Sequence, residues 1–270
     1  IHSLNLDIRE LLQQVFYTFI IRFQSFKPQL EQIANFITLI DVTLSKAYSA
    51  VKYNYCKPHI NMSPSKSFLT ASNLRHCLIE QIQQEELYVA NNVSLGIDNS
   101  DGILLYGTNA VGKTSLIRSI GIAIIMAQAG MFVPCSDFVF KPYNYLFTRI
   151  LGNDNIFKGL STFAVEMSEL RTILRLGNEN SLILGDELCS GTEIVSAISI
   201  FVAGIQTLSE LKCSFIFATH LHEIVQYDEI SSLQNLIIQH LEVVYDKQRD
   251  LLIYDRLLKN GPGNSLYGLE

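Results

Sequence analysis

The stretch Gly107-Thr-Asn-Ala-Val-Gly-Lys113-Thr114 decides the fold, because it fits the pattern G-x-x-x-x-G-K-[ST] of a phosphate-binding loop. It lies between an apolar run, 102–106, typical of a buried strand, and a run from Ser115 to Gln128 with helical periodicity. In that context the backbone N–H groups of the loop and the positive end of the helix can hold phosphate oxygens. The sequence therefore predicts a phosphate-loop nucleotide-binding protein.

The residues of this loop have distinct predicted roles. Lys113 is expected to bridge the β- and γ-phosphates and to support turnover, and the Thr114 hydroxyl is expected to bind magnesium. The predicted nucleotide-binding residues are Gly107, Thr108, Asn109, Ala110, Val111, Gly112, Lys113, Thr114 and Ser115.

Two acids, Asp186 and Glu187, follow a second apolar run, 181–184. In an open parallel sheet ligands gather at the carboxyl ends of strands, so this pair is typical of a Walker B element. Asp186 is expected to bind magnesium, while Glu187, on the opposite side of the strand, is expected to orient the attacking water. The alternative is a pair of solvated acids at an ordinary strand end.

A histidine, His220, follows the apolar run 214–219 and is predicted to reach the same edge of the sheet. We expect it to contact the γ-phosphate, with a purely structural histidine as the alternative.

The order of apolar runs predicts an α/β fold. Residues 11–57 form a helical pattern broken near Lys27-Pro28, and the proline- and serine-containing stretch 57–66 predicts a connector. We therefore expect a helical segment, 1–60, and an ATPase-like domain, 61–270. The domain should contain a mostly parallel sheet flanked by helices. Its further predicted elements are a strand over 87–95, helices over 163–176 and 193–211, and a hairpin of 236–245 with 251–256.

Composition narrows the class of protein. The 270 residues are 48% hydrophobic, which is ample for a core, and the net charge of −6 argues against a large nucleic-acid-binding face on this segment. The five cysteines are scattered, with no metal-ligand spacing, which favours reduced thiols inside a cell. No apolar run reaches the ~18 residues that a membrane helix requires, so we expect no membrane partner. The first residue is isoleucine, and we expect this sequence to be part of a longer chain.

Taken together, the motifs resemble the MutS family of DNA mismatch-repair ATPases, an ABC-type branch of the phosphate-loop NTPases. Ser161-Thr-Phe-Ala-Val-Glu-Met167 is similar to the family's S-T-F-x-x-E-M element, which replaces the L-S-G-G-Q signature of ABC transporters. Leu74-Arg-His-Cys-Leu-Ile-Glu80 is similar to its R-H-P segment, with Cys77 in place of proline. The stretches 90–93, 147–150 and 265–269 also match, so the resemblance covers almost the entire chain.

The resemblance implies an ATPase that uses ATP and Mg²⁺ and works as a dimer with a second MutS-like subunit, most simply an identical one. Ser161 would complete the nucleotide site of the partner in trans. Residues 1–57 would be the base of a helical lever, and double-stranded DNA would be bound through parts mostly outside this chain. The loop reads G-T-N-A-V-G-K-T rather than G-P-N-M-G-G-K-S, and Ser190 stands where the family commonly has arginine. The Ser190 departure bears on signalling between subunits. The stretches Gly152-Asn-Asp-Asn155 and Asn109-Ala-Val111 indicate a divergent branch, of the viral or organellar kind.

Two alternatives keep the same nucleotide site. One is a MutS relative that acts on junctions or recombination intermediates without recognising mismatches. The other is a nucleotide-dependent structural dimeriser with negligible hydrolysis, suggested by the altered loop and by Ser190.

Overall fold

The computed structural model describes residues 2–82, 87–108, 111–149, 162–186, 193–246 and 251–263. The chain divides into two compact units, Ile1–Lys52 and Tyr53–Glu270. The division lies before the connector, whereas the sequence suggests a boundary at residue 60. The helices are α1 (His2–Gln24), α2 (Lys27–Tyr53), α3 (Ile79–Ile82), α4 (Lys113–Gln128), α5 (Thr162–Leu176), α6 (Ile194–Glu210) and α7 (Asp228–Ser231). The strands are β1 (His59–Ile60), β2 (Phe68–Leu74), β3 (Asn91–Leu95), β4 (Gly102–Tyr106), β5 (Asp137–Lys141), β6 (Tyr145–Arg149), β7 (Ser181–Asp186), β8 (Ser214–Ala218), β9 (Leu236–Asp246) and β10 (Leu251–Asn260).

The first unit contains α1 and most of α2, separated by a turn at Ser25 and Phe26. Pro28 lies in the first turn of α2, where its missing N–H removes no helical hydrogen bond. Large apolar side chains along both helices are exposed, among them Leu11, Phe16 and Ile37. The sequence prediction of two helices broken near Lys27-Pro28 is thus confirmed.

The second unit is built on a six-stranded sheet with the order β10-β9-β4-β8-β7-β6. All neighbours pair in parallel except β9 and β10, which form an antiparallel hairpin. Strand β4 is buried along its whole length, as expected for a parallel strand with both faces covered. The order brings the carboxyl ends of β4, β8 and β7 to one edge of the sheet.

Helices cover both faces of this sheet. Leu105 of β4 belongs to a core that includes Ile117 and Ile120 of α4. Leu104, which points to the other face, belongs to a core that includes Phe201 of α6. This alternation follows from the period of two along a strand. The predicted α/β fold with a mostly parallel sheet is therefore confirmed.

A smaller four-stranded sheet has the order β1-β5-β2-β3. Its pairs β2–β3 and β2–β5 are antiparallel, while β1 and β5 are parallel. The strand predicted over 87–95 is too long, because the structure begins β3 at Asn91. Tyr88 and Val89 instead line a cavity. The late hairpin is longer than predicted and reaches Asn260, with a register shift between Tyr254 and Leu258.

Within the described parts of the chain, none of the helices has the length and apolar composition needed to cross a membrane.

Candidate functional site

The phosphate loop connects the buried strand β4 to the N-terminus of α4. Gly107 has φ +148° and Gly112 has φ +111°, a region that side-chain-bearing residues rarely adopt. The first helical hydrogen bond of α4 runs from the Leu116 N–H to the Gly112 carbonyl. The N–H groups of Lys113, Thr114 and Ser115 precede it and have no partner within the helix. This geometry can receive an anion at the end of the helix.

Lys113 is 5% exposed, although it carries an ammonium group. Its Nζ donates to the carbonyls of Gly107 at 2.7 Å and Thr108 at 3.0 Å. The side chain is therefore held against the backbone of the loop. The same Nζ lies 3.2 Å from His220 Nε2. Because an ammonium group can only donate, Nε2 accepts and the neutral ring carries its proton on Nδ1.

Thr114 and Asp186 meet across the sheet edge. The Thr114 hydroxyl donates to Asp186 Oδ2. Asp186 is the last residue of β7, which lies two strands away from β4 in the sheet. The other carboxylate oxygen, Oδ1, is buried and has no hydrogen-bond partner among the described residues. A buried carboxylate oxygen beside a hydroxyl is the kind of oxygen ligand set that Mg²⁺ prefers. The residues present therefore fit this metal.

His220 lies just beyond β8 and is exposed. The backbone before it is fixed, since the Thr219 N–H donates to the Leu105 carbonyl at 3.1 Å. The His222 ring lies against the Tyr106 ring, with ring centroids 4.9 Å apart and the ring planes tilted by 34°. Burial lowers the pKa of His222, and the neighbouring His220 lowers it further. The structure thus brings His220, Lys113, Thr114 and Asp186 together at one edge of the sheet.

A cavity of about 160 Å³ lies beside the loop, and sequence reasoning did not identify it. The residues that line it include Tyr88, Ile79, Leu241 and Arg256. Ser115, one of the predicted nucleotide-binding residues, also lines it. An aromatic ring, aliphatic walls and a guanidinium group suit a planar heteroaromatic base.

The position of Arg256 depends on Asn91. Arg256 has φ +56° and lies where the pairing of β9 and β10 shifts register. The Asn91 side chain donates to the Arg256 carbonyl at 3.0 Å and accepts from the Leu258 N–H at 2.7 Å. One buried side chain thus replaces the missing strand partner at the bulge. The only sequence signal was the stretch 90–93, which we assigned to the family resemblance.

Comparison with known proteins decides the family. The sequence model of MutS domain V matches residues 103–270. The chain belongs to the MutS family. MutS domain V is the ABC-type ATPase domain, which confirms the predicted fold class.

Relatives of viral, mitochondrial and bacterial origin carry MutS names. The chain is 40% identical over 303 residues to a DNA mismatch repair protein mutS homolog of Acanthamoeba polyphaga mimivirus, covering 99% of this chain and 27% of that protein. It is 40% identical over 281 residues to a mitochondrial DNA mismatch repair protein mutS homolog of Sarcophyton glaucum, covering 100% and 28%. It is 36% identical over 246 residues to the DNA mismatch repair protein MutS of Prochlorococcus marinus strain MIT 9301, covering 90% and 26%. The chain thus spans about a quarter of the length of these relatives.

Some predicted residues of this MutS domain lie outside the described residues. They are Asn109, Ala110, Ser161, Glu187 and Ser190, together with the matching stretch 265–269. Their roles, like the roles of the residues placed above, stay predictions from the sequence.

Proposed function

We propose that this chain binds ATP with Mg²⁺ at the phosphate loop and hydrolyses it to ADP and phosphate. The observation that carries the proposal is the contact of the Thr114 hydroxyl with Asp186, whose second oxygen is buried without a partner among the described residues. The membership of the chain in a family of ATPases supports the same reaction.

The residues of the chain divide the work of binding. Lys113 would exchange its two loop carbonyls for phosphate oxygens, which are stronger acceptors for an ammonium group. Thr114 and Asp186 would hold Mg²⁺, which when bound neutralises charge on the phosphates. The base would enter the cavity beside Tyr88.

Turnover would depend on the groups at the ends of β7 and β8. Glu187 would orient the attacking water, and His220 would contact the γ-phosphate through its neutral ring. The ring is supported in that orientation by its contact with Lys113 at 3.2 Å.

We further propose that this chain is the ATPase module of a longer MutS-like protein, and that the longer protein recognises DNA mismatches. Two subunits would face each other, with Ser161 of each completing the nucleotide site of the other. Double-stranded DNA would be bound through parts mostly outside this chain, and nucleotide state would control the DNA clamp. The names of the relatives and the order of the motifs support this role. Free cysteines at Cys56, Cys77, Cys135 and Cys213 suit an intracellular, reducing setting.

Nucleotide binding and turnover test the proposal directly. Binding of a fluorescent ATP analogue and phosphate release should be measured with and without Mg²⁺ for the wild type, Lys113→Ala and Asp186→Asn. Lys113→Ala should weaken binding roughly 10- to 100-fold, because a charge-assisted hydrogen bond is lost. Asp186→Asn should bind nucleotide but lose most of the gain that Mg²⁺ gives. Lys57→Ala, an exposed lysine in the connector, is the matched control.

The outcomes separate the candidate functions. Nucleotide binding with no turnover above the Lys113→Ala background would favour a structural dimeriser. No binding at all would refute the proposal. The affinity of the full-length protein for mismatched duplex, perfect duplex and a four-way junction should then be measured at one salt concentration. A preference for the mismatched duplex would favour a mismatch sensor, and a preference for the junction would favour a junction clamp.

A further inference from the structure

A buried ion pair lies at the end of β6, away from the phosphate loop. Arg149 is the last residue of β6 and is 6% exposed, and Glu166 in α5 is 2% exposed. Arg149 Nη2 lies 2.9 Å from Glu166 Oε1, and Arg149 Nε lies 3.2 Å from Glu169 Oε2. One guanidinium group therefore holds two carboxylates that are adjacent on the same face of α5.

The position of Arg149 in the sheet ties this pair to the acid-bearing strand. Strand β6 is at the edge of the six-stranded sheet and pairs in parallel with β7. Arg149 is the register partner of Gly185, which immediately precedes Asp186. The guanidinium group thus connects α5 to the strand end that carries the predicted magnesium ligand.

The first half of α5 is held by charge as well as by apolar packing, since the partly buried Met167 packs against the core that contains Leu170. The fully buried apolar side chains of this helix are Leu170 and Ile173, both in its second half. Phe163, Ala164 and Val165, nearer the N-terminus, are only half-buried. Among the side chains of α5 whose burial is described, residues 163–176, Glu166 is the first that is buried, and it lies five residues after the predicted signature serine, Ser161.

The pair has no evident purpose as a stabilising contact. Glu166 Oε2 is buried without a hydrogen-bond partner among the described residues, so its desolvation is only partly compensated. Apolar residues of similar volume commonly serve stability as well as such a pair or better. A planar guanidinium between two carboxylates does, however, fix distance and orientation.

We infer that Arg149 is a positioning residue, which locks the N-terminal half of α5 to the end of β7 through Glu166 and Glu169. The inference rests on the proposed function, in which Ser161 acts on the nucleotide of the partner and Asp186 acts on the subunit's own nucleotide. Arg149 then links the two sites to which one subunit contributes. Loss of the lock should slow turnover by the dimer and leave nucleotide binding by the single subunit intact.

The experiment uses the full chain and removes both charges together, because Arg149→Ala alone would leave a buried carboxylate unpaired. The main variant combines Arg149→Met and Glu166→Gln. It is compared with the single variant Arg149→Lys and with a charge swap that combines Arg149→Glu and Glu166→Arg. The control is Arg171→Lys. Arg171 lies on the exposed face of the same helix. Melting temperature, affinity for a fluorescent ATP analogue at a subunit concentration that keeps monomers, and steady-state kcat are measured for each.

The double variant should bind the analogue within two-fold of wild type, while kcat falls about ten-fold or more because a reacting group is misplaced. If the double variant does not fold, Arg149→Lys should show the same unchanged affinity and lowered kcat. The charge swap should recover part of the kcat that the double variant loses. A folded double variant with kcat within two-fold of wild type would overturn the inference. So would a parallel loss of affinity and kcat, which is the mark of a merely structural role.

The wild type separates this inference from the proposed function. If wild-type turnover does not exceed that of Lys113→Ala, the proposed function fails and the inference fails with it. If wild-type turnover is normal and the double variant matches it, only the inference fails.

Discussion

At the scale of single residues, the site contains two kinds of residue. Some belong to sequence motifs with a known chemistry, and others reach the site only through the packing of the fold. Thr114 and Asp186 could be named from the sequence, because a hydroxyl after the loop lysine and an acid at a strand end follow from local rules. Tyr88 could not be named in this way. It belongs to none of the motifs, and it reaches the cavity because residues 88 and 89 lie beside the start of α4.

The Tyr88 ring carries the first residue-scale prediction. Tyr88→Ala should weaken ATP binding roughly ten-fold, because an aromatic contact contributes about 1 kcal/mol beyond its buried area. Tyr88→Phe should bind like the wild type, since the ring and not the hydroxyl faces a base. Competition of ATP and inorganic triphosphate against a fluorescent analogue measures both variants. Tyr17→Ala, at an exposed tyrosine of α1, is the control.

A loss of triphosphate affinity equal to the loss of ATP affinity would contradict this assignment, because the ring is expected to contact the base alone. An unchanged ATP affinity in Tyr88→Ala would do so as well.

At the scale of elements, the strands and helices of the sheet could be predicted because their apolar runs are long and periodic. The bounds of α4, β7, α6 and β8 lie within a few residues of the expected ones. What could not be predicted are the places where a side chain takes over a backbone partner. Asn91 does so at the bulge of β10, and no periodic pattern marks a contact between residues so far apart in sequence.

Asn91 therefore carries an element-scale prediction. Asn91→Ala removes the hydrogen bonds to the Leu258 N–H and the Arg256 carbonyl, and each such bond contributes about 0.5–1.5 kcal/mol. We expect a lower free energy of unfolding in urea and a weaker affinity for nucleotide, because the bulge of β10 that carries Arg256 is no longer fixed. The matched control is Asn35→Ala, on the exposed surface of α2. A variant with wild-type stability would show that the bulge is held by the strand pairing alone.

Arg75 makes a second contact of this kind, at the C-terminal end of α2. Its Nη2 donates to the carbonyls of Tyr53 and Asn54 at 3.0 and 2.9 Å, and its Nε lies 3.3 Å from Glu80 Oε2. The last carbonyls of a helix lack intrahelical partners and carry partial negative charge, so a guanidinium there stabilises the helix end. The arginine of the R-H-P-like segment thus has a structural explanation.

Arg75→Met should lower the free energy of unfolding by roughly 1–3 kcal/mol, since two carbonyls and one carboxylate lose a charged partner. Arg75→Lys should recover only part of this loss, because a single ammonium group cannot reach as many acceptors in one plane. Urea unfolding followed by circular dichroism measures both, with Arg171→Met as the exposed control. Equal stability of Arg75→Met and the control would refute the capping role.

At the scale of the whole molecule, the two edges of the six-stranded sheet are built differently. The edge at the carboxyl ends of β4, β7 and β8 leaves polar groups unpaired among the described residues, notably Asp186 Oδ1. At the opposite edge, Asp101 is 3% exposed and is fully engaged by Lys66 and by the Asn235 side chain. The buried carboxylate of Asp101 thus has hydrogen-bond partners at the end of the sheet that has no proposed ligand. Asp186 Oδ1 lacks such a partner among the described residues at the end where a ligand is proposed to bind.

The same reasoning predicts how the stability of the molecule depends on pH. His76 is 6% exposed, and its Nδ1 accepts from the N–H groups of Leu78 and Ile79, both at 3.3 Å. Burial lowers the pKa of His76, and the positive charge of Arg118 lowers it further. The folded protein therefore needs the neutral ring, while the unfolded chain takes up a proton near pH ~6.5. Stability should be full above that pH and should fall as the pH drops below it towards the lowered pKa of the folded state.

Thermal unfolding at pH 7.5, 6.5 and 6.0 tests this, with a shift of the midpoint of roughly 2–4 °C for each kcal/mol lost. His76→Asn should reduce the pH-dependent loss, because an amide oxygen can accept from the same two N–H groups and does not titrate. His222 should contribute in the same direction, since burial and His220 lower its pKa too. His59→Asn, at an exposed histidine, should keep the full wild-type loss. If His76→Asn loses as much stability as the wild type between pH 7.5 and 6.0, protonation of His76 does not cause the loss of stability in acid.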